Sequence, residues 1–440
     1  MTASSPERTS AEGYVPESNI VAGHHPAPGE RASRTPWNGP SSEPPLDGVK
    51  KSRIYGIDAA RGFALFGMIA VHTLGTTGLY SDYPSSANIL FSGKSATLFA
   101  LLAGVSLAII TGMSKIHSGR RLARDRWMIA FRGVLLLFIG SVLNYLDFDA
   151  FNILPYYGVF FLAAVPFLGL NAKPLFGWAI SVGLLGPVVH ASALSFLGTD
   201  STATLTTAGL VMEPTSSIVD LLLIGIYPTC TWLAYVLLGM AIGRLDLRNL
   251  TVQVKLTVYG LSIGGFLYIT SNLLIDFAGV FDRLLDATPG KSSKEIIHLL
   301  SNGGALPPTT WWWQVSVAPH SNTVFSVFFQ GSLAVAALGA FLIAERFFRG
   351  TLQIFSAPGS MTLTLYVAHL VFLAFVPVSK LQITFLMTQL SVAIIFAMLW
   401  QAAVGQGPLE KLQAKMTKTA ARTIIPVRES EEESSNTSKK

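Results

Sequence analysis

The chain has 440 residues, 50% of them hydrophobic and only 13% charged, against about 25% charged in average protein usage. With a mean hydropathy of +0.49 and several apolar runs of about 18 residues or more, it reads as an all-α, polytopic membrane bundle. The net charge of +6 needs no nucleic acid as partner, because basic residues gather in loops as membrane topology requires, and the single cysteine, Cys230, excludes an intrachain disulfide and a multi-cysteine metal site.

Residues 1–50 are rich in Pro, Ser, Gly, Glu and Arg and lack hydrophobic periodicity. They predict a disordered cytoplasmic tail, in which His24 and His25 form no metal site. Residues 1–20 hold no apolar core of a signal peptide. The multi-pass domain runs over 51–410. A charged cytoplasmic tail is expected over 411–440, its basic first half, Lys411 to Arg428, suited to a membrane surface.

About ten membrane helices are expected, at 54–74, 94–113, 127–146, 153–170, 174–197, 219–243, 254–277, 322–345, 359–378 and 382–404, with Pro228 a break that could split the sixth. Lys50, Lys51, Arg53, Lys115, Arg120, Arg121, Arg124, Arg126, Arg244, Arg248, Lys255, Arg346 and Arg349 all fall on one side in this count. The opposite connections carry Asp82, Asp147, Asp149, Asp200 and Glu213. That asymmetry predicts both termini in the cytoplasm. Trp311, Trp312 and Trp313, in the long outer segment 278–321, suit an interfacial belt.

The first span, 53–74, carries Asp58, Arg61 and His72. Ionisable groups in a membrane helix cost about 2.5–3.5 kcal/mol each at mid-helix unless paired. At 100° per residue Arg61 and His72 are roughly three turns apart, about 16 Å along the axis, and Asp58 lies one turn before Arg61. All three share one stripe, with Arg61 near the inner surface and His72 near the outer. Two readings stand: an interfacial Asp58–Arg61 pair with His72 capping the helix, or an anion-holding arginine with a general base a fixed distance along a channel.

Arg120, Arg121, Arg124 and Arg126 are dense even for a cytoplasmic loop, and Arg132 lies a little inside the third span. Topology alone, or a phosphate clamp built from arginine forks, accounts for them. Pro319-His320-Ser321-Asn322 precedes the eighth span, where Ser321 or Asn322 suits a helix cap. Tyr366 and His369 lie one turn apart inside the ninth span, where a buried histidine needs a partner. Asp276 and Glu345, near span ends, are weak signals. There is no Walker A sequence, dinucleotide glycine fingerprint or zincin motif.

The first span, Ile-Asp-Ala-Ala-Arg-Gly-Phe-Ala-Leu with Arg61 and then His72, resembles the transmembrane acyltransferase superfamily, which includes heparan-α-glucosaminide N-acetyltransferases and bacterial O-acyltransferases of envelope glycans. It is most similar to the YeiB-like branch, through Asn152-Ile-Leu-Pro-Tyr-Tyr-Gly, Pro319-His320-Ser321, Leu363-Thr364-Leu365-Tyr366 with His369, and Gly407-Pro408-Leu409-Glu410. These cover most of 53–412; Asn152 stands where that family has an acid. The resemblance implies transfer of an acyl group, acetyl above all, from cytoplasmic acyl-CoA to an extracytoplasmic glycan or lipid-linked acceptor in the plasma membrane, without a metal. It implies His72 as general base or acyl carrier, and Arg121 and Arg124 as an RxxR motif at the donor entrance. Arg61 joins them in holding the donor, with Asp58, Arg132, His320, Tyr366 and His369 in support. A secondary transporter or flippase for a small anionic or lipid-linked solute is the alternative, and a scaffold without catalysis the third reading.

Overall fold

A computed structural model describes residues 53–75, 84–198, 205–376 and 381–426. The expected tail 1–50, Asp82, Asp200 and the acidic end after 426 lie outside the described residues. The described residues are helical, in chain order α1 Tyr55–Leu74, α2 Ser86–Phe91, α3 Lys94–Ile110, α4 Gly119–Leu143, α5 Leu154–Ala164, α6 Ala172–Leu197, α7 Thr207–Met212, α8 Pro214–Val219 and α9 Thr229–Gly243. Then come α10 Leu250–Phe277, α11 Val280–Asp286, α12 Ser293–Asn302, α13 Val324–Phe348, α14 Gln353–Gly359, α15 Thr362–Phe375, α16 Gln382–Ala403 and α17 Pro408–Ile424.

Each of the ten expected spans meets a helix or a helix pair. Among the described residues seven helices are long and apolar enough to cross a membrane, or up to nine if two bent pairs each count as one. The remaining position, Leu154–Gly169, is a shorter apolar helix. One bent pair breaks at Gly225–Pro228 by 55°, where the sequence put a proline break; the other, α14 and α15, bends by 83°. The protein is therefore a multi-pass, all-α membrane protein.

Helix α1 is the hub. Its hydrophobic stretch is 72% buried, whereas those of α10 and α16 are only 17% buried and face outward. It packs against α3, α13, α14 and α16. The approach to α14 is backbone on backbone: a Cβ on Gly62 would fall 2.0 Å from the Phe355 carbonyl oxygen, and one on Gly359 1.7 Å from that of Asp58. Small residues allow such contact between membrane helices.

The helix ends are tied by polar side chains. Glu345, at the end of α13, accepts from the backbone amides of Tyr55 (3.0 Å) and Gly56 (2.9 Å), capping α1. Buried Arg244 donates to the carbonyls of Ala108 (3.1 Å), Met113 (3.0 Å) and Leu168 (2.6 Å), joining the ends of α3 and the α5 segment. Burial lowers its pKa to about 10, so it stays a cation at these carbonyl-rich ends. These contacts gather the arginines at one end of the bundle, the basic end. At the far end Asn88 bonds Asn302 (2.7 Å) and Asn144 bonds the Leu205 carbonyl (2.9 Å). Trp313 is buried there with Val280, Leu284 and Ile296 in a small core, while Trp311 stays exposed.

Residues 411–424, expected as part of a charged tail, instead continue α17, which packs along α4 and α15. Gln413, Thr417 and Ala421 recur every four residues and are buried; Leu412 and Met416 stay exposed between the lysines. An inward polar stripe is what the apolar-core reading of the sequence overlooked.

Candidate functional site

A cavity of about 330 Å³ opens between α1, α3, α4, α5, α15 and α17. Arg53, Asp58, Arg61, Arg132, Tyr366 and Glu410 line it, and it reaches as deep as Ile153 and Leu154 at the start of α5. Asp58 is buried and fully engaged, taking bonds from Arg53 Nε (2.5 Å) and Arg61 Nη1 (2.8 Å). Arg61 also donates to the Ser106 hydroxyl. Glu410 is engaged too: it accepts from the amides of Leu363 (2.7 Å) and Thr364 (3.2 Å) and from the Thr364 hydroxyl (2.6 Å). The motifs Leu363-Thr364 and Gly407-to-Glu410, distant in sequence, thus form one cap on α15.

Arg132 differs from Arg61. Its guanidinium lies over the Phe161 ring, 5.5 Å from the centroid. Its Nε is buried with no hydrogen-bond partner among the described residues, as are the Tyr157 hydroxyl and Gln413 Nε2. All three residues line the cavity. Buried polar groups are normally satisfied, so three orphans around one space, two of them nitrogen donors, suit a ligand with anionic oxygens.

Arg121 and Arg124 do not line this cavity. They stand at the start of α4, where Arg124 Nε donates to the Ile425 carbonyl at 3.2 Å, beyond the end of α17. On an α-helix Arg121 falls on the same stripe as Arg132, about 16 Å away.

The far-end group forms around His72. Its Nδ1 is 3.2 Å from His369 Nε2, with the two ring planes within 8° of parallel. His369 Nδ1 is 2.8 Å from Gln389 Oε1, and Gln389 Nε2 donates to the Thr73 hydroxyl oxygen at 3.2 Å. His72 therefore has a partner rather than serving as a helix cap; the residue closing α1 is Gly75. His72 also lines a second cavity of about 390 Å³ with Asp147, Asp149 and Gln382. Tyr366 bridges to α5, its hydroxyl accepting from Ile153 N and donating to the Phe151 carbonyl, both at 3.3 Å.

His320 stands in the neighbourhood of His72. Its Nε2 accepts from Gly93 N at 3.2 Å, and its ring lies within 11° of parallel to Trp232. Burial and the nearby Lys94 charge lower its pKa to about 4, so it is neutral at physiological pH. The expected cap at Ser321 or Asn322 belongs instead to Thr323, which accepts from Ser326 N at 3.1 Å. Asn322 is turned inward by a positive φ of 54°, and its Oδ1 accepts from Trp232 Nε1 at 2.8 Å. Asn152, likewise, is a hydrogen-bonding residue, donating to the Gly140 carbonyl (2.9 Å) and Asn144 (2.7 Å).

Sequence reasoning missed Gln389, Thr73, Gln413 and Ser106, and held Tyr157 only as part of the motif Asn152-Ile-Leu-Pro-Tyr-Tyr-Gly. Gln389 carried a usable signal, an amide in an otherwise apolar span, since polar side chains in membrane helices face partners. Among the described residues no group of three His, Cys, Asp or Glu side chains stands where it could hold a metal ion.

A family model described as heparan-alpha-glucosaminide N-acetyltransferase, catalytic, matches residues 53–271. No curated protein matches the chain. The matched segment contains Asp58, Arg61, His72 and Arg132, and ends before His320, Tyr366, His369 and Gln389.

Proposed function

We propose that the chain, whose residues 53–271 match the heparan-α-glucosaminide N-acetyltransferase catalytic family model, is a membrane acyltransferase of that kind that moves an acyl group, acetyl by class, from cytoplasmic acyl-CoA to a glycan or lipid-linked acceptor beyond the plasma membrane. The observation that carries this reading is the pair of groups on one unbroken helix. Arg61 lines the deep cavity of the basic end, beside the orphaned donors of Arg132, Tyr157 and Gln413. His72 lies eleven residues on, about 16 Å along the axis, at a second cavity.

The basic end is taken as cytoplasmic by the positive-inside rule, with both termini on that side. Arg61 and Arg132 hold donor phosphates, Arg132 having the buried unpaired nitrogen to offer, and Arg121 and Arg124 meet the donor at the mouth. The cavity takes part of such a donor, its reactive arm lying toward Tyr366, one turn before His369. The donor supplies the thioester carbonyl. His72 takes the proton of the acceptor hydroxyl or amine as that atom attacks the carbonyl carbon; the carbon–sulfur bond then breaks, its electron pair leaves with the CoA sulfur, and the proton returns from His72 to release free CoA thiol. In the covalent variant His72 itself receives the acyl group first.

A secondary transporter or flippase is the second reading, favoured by the two bent spans. Both breaks fall in the C-terminal half, however, rather than at corresponding places in two halves. Whole cells fed labelled acetate, with and without the gene, separate the two: label lost from envelope glycans or lipids on deletion supports transfer, whereas unchanged label with altered solute uptake supports transport. In purified protein His72→Asn should lower transfer by about 10²–10⁴-fold, the range of a general base, while insertion is kept. Near-normal turnover in that variant would refute the assignment. Reporters fused after Arg126 and near Asp200 should read inside and outside respectively; the reverse would dismantle the donor-in, acceptor-out scheme.

A further inference from the structure

The hydrogen bonds behind His72 run through three residues on three helices, and the match to the known family stops short of His369 and Gln389. Gln389 is the pivot. It lies on α16, a helix otherwise turned largely outward, yet its amide reaches inward between His369 on α15 and Thr73 on α1. Thr73 and His369 are buried at 1% and 5% exposure.

The amide has a direction. Its oxygen meets His369 Nδ1 and its nitrogen donates to Thr73. A carbonyl oxygen only accepts, so Nδ1 of His369 carries the proton. A neutral imidazole has one N–H, so Nε2 of His369 carries a lone pair. That lone pair faces His72 Nδ1 at 3.2 Å, so Nδ1 of His72 carries the proton and Nε2 of His72 is left with the lone pair. His72 itself lines the far-end cavity.

We propose that Gln389 is a positioning residue: acting through His369, its amide fixes the His72 tautomer so that Nε2 faces the cavity as the proton acceptor. The proposal deepens the acyl-transfer reading and rests on it. The same chain of bonds responds to proton uptake. When Nε2 of His72 takes the acceptor's proton, the Nδ1–H to His369 becomes a charge-assisted bond, and the Gln389 carbonyl stabilises the ring behind it. The same logic orients histidine bases elsewhere, with a carboxylate in the place of the amide. A reversed amide would reverse every bond, put a proton on His72 Nε2 and leave no base at the cavity. The titratable groups facing His72 are His369, His320 and, across the cavity, Asp147 and Asp149.

The test uses the full chain, labelled with ¹⁵N-histidine, in lipid. His72→Asn assigns the His72 signals. In wild type they should show a protonated Nδ1 and an unprotonated Nε2; the opposite tautomer overturns the proposal. Gln389→Leu should abolish the single tautomer and lower kcat on the order of 10–100-fold, the scale on which losing a histidine's orienting partner is felt, with KM for acyl-CoA unchanged. An unchanged spectrum and kcat overturn it. Gln389→Glu keeps an acceptor facing His369, so it should preserve the tautomer and move the acidic limb of the kcat profile to higher pH, since a carboxylate favours the protonated ring. If the leucine variant does not insert, this one decides, and an unmoved limb overturns the proposal. Wild type with the expected tautomer but no transfer activity upholds the proton arrangement and refutes the acyl-transfer reading alone.

Discussion

Arg132 makes a prediction with opposite signs in two states of the protein. Its Nε is buried with no hydrogen-bond partner among the described residues. It shares the cavity with Arg61, while both carboxylates there, Asp58 and Glu410, are committed to other donors. An unsatisfied buried donor costs about 1–3 kcal/mol, more if charged. Arg132→Met keeps the length and the contact with Phe161 and removes that cost, so the thermal midpoint of the ligand-free protein should hold or rise. With CoA the sign reverses. One guanidinium–phosphate interaction contributes roughly 1.5–3 kcal/mol, or about 10–150-fold in Kd. At a CoA concentration of about 100 Kd, wild type gains about 2.7 kcal/mol from the ligand; after a 100-fold loss the same concentration gives about 0.4 kcal/mol. Thermal melts of the purified protein with and without CoA, beside a direct titration, read both effects. A ligand-free midpoint that falls, with the CoA shift intact, would refute the reasoning and make Arg132 a structural cation.

His320 predicts an acid sensitivity. Its folded pKa, about 4, lies below the ordinary 6.5 because of burial and Lys94, so the unfolded chain binds its proton first as pH falls; stability should be level above about 6.5 and decline from there towards 4, and His320→Gln should flatten that decline in melts across pH. Glu410→Gln should weaken the cap on α15, which now accepts two amides and a hydroxyl, by about 1–2 kcal/mol, seen as a lower midpoint and faster hydrogen exchange at Leu363 and Thr364; unchanged exchange would contradict the cap. Replacing Arg121 and Arg124 by Ala should weaken acyl-CoA binding while leaving insertion intact, with lysine rescuing only partly; unaltered binding would leave these residues to topology.

The spans were legible because an apolar stretch of some 20 residues has few other uses. Each expected position meets a helix or a pair, and even the Pro228 break stands. Arg61 and His72 were legible through helical periodicity, which fixes spacing on one helix without tertiary knowledge. What stayed hidden depends on which helices meet. A buried His369 needs a partner, but nothing local says that it is His72, 297 residues away. Glu345 looked weak as a charge near an interface, yet it caps α1 across 290 residues. Arg121 and Arg124 stood out by density and Arg132 less so, whereas Arg132 lines the cavity and the two loop arginines do not.

The bend between α14 and α15 ties these features together. A straight span would satisfy its own backbone. Bending by 83° at Gly359–Met361 exposes a fresh helix start inside the bundle, whose first amides need acceptors. Glu410 supplies them from α17, 47 residues on from Leu363. The same break leaves Gly359, Ser360, Thr362 and Leu363 lining the deep cavity. Gly359 meanwhile presses on the Asp58 carbonyl, the turn of α1 that carries Arg61. The bend therefore makes the space, Glu410 closes the helix end it opens, and the contact at Gly359 ties both to the arginine. Arg132 lines the same cavity, with Glu410 held at the α15 start and its own Nε without a hydrogen-bond partner among the described residues. A broken helix here accounts for the cavity by itself, without an alternating-access motion to explain it.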